Sequence, residues 1–432
     1  MTVMSEGGRK RLRGRILTFN RKPEGPGDRD AYSYLEDGVI TFENGKIESL
    51  KPAGDGSTDA ERIDGLIIPG LIDTHLHFPQ VQIIGASASG LLDWLDRHTF
   101  PGEIAYSDPD HAERMAIAFF DRLLAHGTTT PVAYCASYPI SVDAYFGEAE
   151  RRGIAAFGGK TCMDRNAPEA LCDTAERAYS ESKDLIDRWH GRGRLEYVIT
   201  PRFAITSTPD QLSALGALAS EHPDLLVQTH MSETKAEIAE VERLYPDARD
   251  YLDVYEKAGL LSSRLVLGHT IHLTEREVDR MAESGAVAAH CPTSNLFLGS
   301  GLLNLDRLER ANVRTALATD IGGGTSWSMM RTMDAAFKIQ MLQGRRLDPL
   351  ETFYLATLGN AQALGAADRI GTLEPGTDAD VVVLDAKVTP EMQLRMEVVE
   401  SLEDELFLLQ TLGDDRSIRQ VYVAGQLAVD NS

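Results

Sequence analysis

Cysteine is scarce in this chain of 432 residues: Cys135, Cys162, Cys172 and Cys291 are all there is. So few thiols in so long a chain build no disulfide framework, and reduced thiols in a cytoplasmic protein are the expectation. Long apolar runs are lacking too. The longest uncharged stretch, Thr74 to Leu92, is broken by His, Gln, Pro and Gly, so it is not a membrane span. The basic N-terminus (Arg9, Lys10, Arg11, Arg13, Arg15) precedes no apolar core of signal-peptide length, and Arg15 to Phe19 reads as a first strand. Positive charge is in short supply: 43 Lys and Arg against 66 Asp and Glu leave a net charge of −23. That balance argues against a nucleic acid or an anionic membrane as partner, and does not identify a substrate.

What is present sorts into three segments. Residues 1–65 alternate short apolar runs with turns, and Asn44-Gly45 between two such runs signals a hairpin. Residues 371–432 read the same way, through GTLEPGTDADVVVLD and SIRQVYVAGQLAVD, so both ends are expected to pair into one small β-sandwich. Between them, residues 66–370 repeat an apolar strand followed by an amphipathic helix. The strand candidates are LIIPGLID, TTTPVAYC, IAAFGGKTC, EYVITPRF, LLVQTH, RLVLGH, AVAAH and VRTALATD. Asp108-Pro109, Thr208-Pro209 and Asp348-Pro349 each set an N-cap before a helix-starting proline, with Gln211 and Glu351 placed for capping boxes. Thr274 and Glu277 form another box, and Gly127 and Gly285 mark helix ends. Eight such units predict a (β/α)8 barrel; an open doubly wound sheet is the runner-up, without a GxGxxG to support it.

Barrel active sites lie at the C-terminal ends of the strands. Those ends carry His75 and His77, Arg202, His230, His269, His290 and Asp320, which gathers five of the eleven histidines there. His75 and His77, at i and i+2 of a strand, point the same way and can grip one ion. Each residue also has a plain reading: a solvated strand end for His230, a satisfied carbonyl for His269, a structural residue for His290. Three imidazoles and a carboxylate form a mixed N/O set suited to zinc, with Fe(II) as a substitute. Glu233, three residues past His230, could complement a helix dipole or serve as a general acid/base beside the metal. Asp320 precedes Ile-Gly-Gly-Gly, a loop able to approach a ligand closely.

PGLIDTHLHFPQ, HMSE, GHT, HCPTSNLFLGSG and ATDIGGGTS together resemble the amidohydrolase superfamily, and within it the guanine deaminase family. The similarity runs along almost the whole chain; HFPQ and SNLFLGSG are what narrow it to that branch. The resemblance implies metal ligands His75, His77, His230 and Asp320, and catalytic residues Glu233 as proton shuttle, His269 next to the attacking water, and Asp320. It also implies substrate contacts from Gln80, Arg202 and Phe203, with His77, His230 and Asp320 facing the same ligand, and a homodimer. Binuclear amidohydrolases bridge two ions through a carboxylated lysine ending the fourth strand. EYVITPRF ends in Arg202 instead, so one metal is expected, with Lys160 the nearby lysine that could upset this.

The activity implied is hydrolysis of guanine at C2 to xanthine and ammonia. Arg202 suits the O6/N7 edge, and Phe203 or Trp94 could stack on the purine. An 8-oxoguanine, triazine or S-adenosylhomocysteine deaminase is the nearest alternative, and an inactive scaffold the most distant. His111-Ala112-Glu113 matches half of the signature of an unrelated zinc deaminase fold, but no PCxxC follows and the match reads as coincidence.

Overall fold

The apolar runs of the middle segment become eight parallel strands, and one residue from each fills the barrel floor. A computed structural model describes residues 8–54, 57 and 59–431. The barrel strands are β5 (Leu71–His77), β6 (Thr128–Cys135), β7 (Ala156–Cys162), β8 (Leu195–Pro201), β9 (Leu226–Met231), β10 (Leu265–His269), β11 (Val287–His290) and β12 (Arg314–Leu317), hydrogen-bonded in sequence order. Ile72, Val132, Phe157, Val198, Leu226, Val266, Val287 and Ala316 pack there with Leu364 and Ile370, which plug the bottom. Period-two alternation then sets the next levels. On β9, Leu226 lies in the floor, Gln228 donates to Ala133 O and Thr200 Oγ1 in a polar middle layer, and His230 reaches the top.

β12 and β5 close the barrel chiefly through side chains and chain ends. Asn360 donates from Nδ2 to Ile72 O (2.7 Å) and Leu317 O (2.8 Å) and accepts from Leu317 N (2.9 Å). Above it, Asp320 N donates to His75 O and His77 N to Ile321 O, so the seam is zipped at the end that carries the histidines. Asn360→Leu should strand these buried backbone groups and destabilise the protein by about 2–4 kcal/mol, read as a lowered urea midpoint. An unchanged midpoint would remove Asn360 from the seam.

The small β-domain is one seven-stranded sheet built from both chain ends. Its strands are β1 (Lys10–Phe19), β2 (Tyr32–Glu43), β3 (Lys46–Pro52), β4 (Glu61–Pro69), β13 (Val381–Leu384), β14 (Ile418–Val423) and β15 (Gln426–Asp430), ordered β15-β14-β13-β4-β1-β2-β3. Asn44 and Gly45 take φ of 52° and 78° and turn β2 into β3, as the hairpin signal required. All four cysteines are free, and among the described residues no helix is long and apolar enough to cross a membrane.

Four local readings need correction. LIIPGLID is not one strand: its first half ends β4 in the small sheet, and the barrel begins at Leu71. β1 starts at Lys10, so Lys10, Arg11 and Arg13 lie within it and Arg9 just precedes it. Residues 371–432 are not all β, since helices Pro390–Met396 and Leu402–Leu412 stand between β13 and β14. Thr208 and Asp348 cap their helices, but Gln211 donates to Asp173 and Glu351 pairs with Arg345, so neither closes a box. The boxes that form are Thr274/Glu277 and an unanticipated one, Thr234/Glu237.

Candidate metal centre and active site

The upper ends of β5, β9 and β10, with the segment after β12, converge on one buried cluster. His75, His230, His269 and Asp320 offer ligand atoms all within 4.8 Å of one another. His77 joins them: its Nε2 lies 3.1 Å from His230 Nε2 and 3.2 Å from Asp320 Oδ1, while His75 Nε2 is 3.4 Å from that oxygen. Four-coordinate zinc with bonds of about 2.0–2.1 Å would hold its ligand atoms about 3.3 Å apart, so these spacings fit one ion. Among the described residues neither ring nitrogen of His75 has a hydrogen-bond partner, so its Nε2 lone pair is available to an ion, as the donor set requires. His230 donates from Nδ1 to Arg202 O at 2.7 Å, which leaves its Nε2 lone pair facing the cluster.

Burial favours neutral imidazole, the ligating form: it pushes His75 down to about 4, lowers His77, and, with the rings around it, carries His230 well down. Burial alone would raise Asp320, yet His75 and His77 hold it well below the usual carboxylate range. His269 differs. Burial disfavours its charged form, but the carboxylates of Glu233 and Asp320 outweigh that and raise its pKa. Its Nδ1 bonds Asn295 Oδ1 (2.9 Å), and its Nε2 stands 3.5 Å from Glu233 Oε2 and 3.8 Å from Asp320 Oδ2.

The crowding has local costs. Ser232, His269, Thr270 and Asp320 take positive φ (52°, 70°, 50° and 54°), strained conformations gathered at the strand ends of the site. Gly268 must be glycine, because a Cβ there would lie 2.5 Å from His75 Cε1. Asp73, which sequence reasoning passed over, lies under the cluster: its carboxylate accepts from His75 N and from the backbone and hydroxyl of Thr319, and burial pushes its pKa up to about 7.

Glu233 does not lie in a helix. Thr234 caps Lys235–Leu244, so Glu233 precedes the cap and the helix-dipole reading falls. Burial raises its pKa, and Ser300 Oγ donates to its Oε1 at 2.7 Å. Asn295 and Ser300 both come from SNLFLGSG, so that stretch fixes the two groups flanking the cluster.

A pocket opens above them, with about 390 Å3 of space including its mouth, lined by His77, Gln80, Trp94, Arg202, Phe203 and Glu233 among others. Trp94 and Phe203 are both there. Arg202 lies just past β8 and is not a free guanidinium: its Nη1 donates to both oxygens of Glu103, at 2.9 and 2.8 Å. Lys160 is absent from the cluster; Asp173 and Glu181 hold its ammonium elsewhere. His290 is buried with both ring nitrogens unpartnered and its pKa pushed down to about 3, outside the group of ligand atoms. His111 lies in the capped helix Pro109–Ala125 beside Arg114, apart from this site.

Gly322, next to the pocket-lining Gly323, takes φ 136°, and a Cβ there would come within 2.2 Å of Gln80 Oε1. Gly322→Ala should therefore displace Gln80 and lower kcat/KM by about 10–100-fold with metal content unchanged. Wild-type kinetics in that variant would show that Gln80 has no fixed role.

Residues 66–428 match the amidohydrolase family. Guanine deaminase of Escherichia coli is 45% identical over 431 residues, 98% of each chain. Its structure superposes with a TM-score of 0.94 over 98% of this chain and 100% of that one. A guanine deaminase from C. acetobutylicum with bound guanine is 27% identical, with a TM-score of 0.88 over 97% and 100% of the two chains. A Xanthomonas campestris adenosine deaminase with bound zinc is 25% identical, with a TM-score of 0.84 over 97% and 92%. With the barrel, the imidazole–carboxylate cluster and these likenesses in agreement, the chain belongs to the amidohydrolase family, in its guanine deaminase branch.

Proposed function

We propose that this protein hydrolyses guanine to xanthine and ammonia, with one divalent metal held by His75, His77, His230 and Asp320. The observation that carries the reading is one pocket lined by His77, His230, Asp320 and Glu233 together with Arg202 and Gln80. The metal, zinc with Fe(II) as substitute, supplies when bound a water acidified to about pKa 7. Glu233 takes the proton of the water that adds to C2 and returns it to ring N3, so the ring absorbs the developing charge. As the tetrahedral carbon collapses, the proton of the added hydroxyl passes to the 2-amino group, the C2–N bond breaks to release ammonia, and the C2 carbonyl of xanthine forms. His269, between Glu233 and Asp320, steadies the attacking oxygen by a hydrogen bond. Arg202 donates to O6, and Phe203 or Trp94, both of which line the pocket, stacks on a ring face.

The same proposal takes residues 1–65 and 371–432 as a supporting domain and 66–370 as the catalytic one, with the first boundary moved to Gly70 because residues 66–69 finish β4 of the small sheet. It takes the protein as a cytoplasmic homodimer. The test is ammonia release by purified, metal-replete protein from guanine, 8-oxoguanine, adenine, an aminotriazine and S-adenosylhomocysteine. Guanine should dominate, with xanthine formed in equal amount; comparable turnover of adenine would contradict the reading.

A further inference from the structure

Glu103 is a buried carboxylate that touches neither the ligand cluster nor the proton shuttle. It stands on one helical stretch, Leu91 to Ile104, whose turn over Leu95–Thr99 is widened as a π-type bulge. The same stretch brings Leu91, Trp94 and Leu95 to the pocket. Glu103 is 1% exposed and has two partners: Arg202 Nη1, and Gln80 Nε2 at 3.0 Å. Both partners line the pocket.

A carboxylate only accepts hydrogen bonds, so Glu103 settles which end of the Gln80 amide faces it. The nitrogen must point to Glu103, and Oε1 is left buried without a protein partner. Gly322 has no Cβ, which keeps the space beside that oxygen open. Arg202 is held through Nη1 and stands 5.6 Å from the Phe100 ring centroid, and its other guanidinium nitrogens have no hydrogen-bond partner among the described residues. Glu103 thus offsets one charge and orients two polar groups at once, a donor on Arg202 and an acceptor on Gln80, two residues that line the same pocket.

We propose that Glu103 is a specificity-determining positioning residue: it holds Arg202 as donor and Gln80 Oε1 as obligate acceptor, so the pocket reads a 6-oxo, N1–H purine edge and rejects a 6-amino edge. The inference rests on the guanine reading above and deepens it. In guanine the C6 oxygen accepts and N1–H donates. In 2,6-diaminopurine the 2-amino group is retained, but C6 carries a donor and N1 an acceptor. Every polar group on that edge is reversed, and a site built for one order leaves buried groups unpaired against the other.

The discriminating substitution is Glu103→Gln. An amide at 103 can accept from Arg202 and donate to Gln80 Oε1, which frees Gln80 to turn its nitrogen toward the ligand. Steady-state kcat/KM is measured for guanine and 2,6-diaminopurine, with metal content alongside. Wild type should favour guanine by about 10⁴-fold. In Glu103→Gln the guanine value should fall about 10²-fold, that for 2,6-diaminopurine should hold or rise, and metal content should stay at the wild-type level. The exchange variant Glu103→Gln/Gln80→Glu puts the carboxylate at position 80, again an obligate acceptor, and should recover most of the preference for guanine.

Equal losses on both substrates in Glu103→Gln would overturn the proposal. If that variant does not fold, the exchange variant decides: preference for guanine supports the role, and its loss removes it. Wild-type protein inert toward guanine would instead overturn the functional reading, an outcome visible before any variant is made.

Discussion

Glu233→Gln should keep its metal and still bind guanine, while kcat drops by about 10²–10⁴-fold. The amide keeps the size of the side chain and can still accept from Ser300, but it cannot take a proton from water and pass it on. The surroundings make this a clean substitution. Glu237 accepts from Glu233 N (2.7 Å) and from Tyr251 (2.8 Å), so the backbone stays where the capping box puts it. Oε1 is fixed by Ser300, which leaves Oε2 as the oxygen facing His269. Burial raises the Glu233 pKa, which suits a group that must both accept and release a proton. Single-turnover rates within a few-fold of wild type would make Glu233 a bystander.

His77→Ala and His269→Ala should fail in different ways. Both imidazoles lie beside Asp320, but their partners differ. His77 Nε2 meets His230 Nε2 and Asp320 Oδ1, both of them proposed ligands, so removing the ring should strip most of the metal along with activity. His269 is held by Asn295 and faces Glu233, which places it on the proton-transfer side. His269→Ala should keep about one metal per chain and lose kcat by about 10²–10⁴-fold. Elemental analysis of the two variants separates the roles. Metal lost from His269→Ala and retained in His77→Ala would reverse the assignment and make His269 the ligand.

Much of this site was legible because metal chemistry uses few residue types at strand ends. His75, His77, His230, His269 and Asp320 each follow a strong apolar strand pattern, and the barrel rule then brings those ends together. The barrel itself could be read from eight repeats of strand and helix. Glu103, Asp73, Asn295 and Ser300 stayed hidden for a physical reason. Each acts through one or two hydrogen bonds to a residue far away in sequence, and nothing in local periodicity marks such a partner. Glu103 is the sharpest case: it lies in a short helical stretch, HTFPGEI, where an acid reads as a solvated residue. The split at Pro69 and Gly70 was missed because β4 and β5 follow one another within a single apolar run. Hydrophobicity alone cannot tell a strand of the small sheet from a strand of the barrel. The Thr234/Glu237 box was in plain view in SETKAE, and reading it would have removed Glu233 from the helix.

The most direct test is to strip the protein of metal and titrate Zn²⁺ back while following xanthine formation from guanine. The expected result is no turnover in the stripped protein, then a linear rise that breaks at one equivalent per chain. A break at two equivalents, or guanine turnover without metal, would contradict a single ion held by His75, His77, His230 and Asp320.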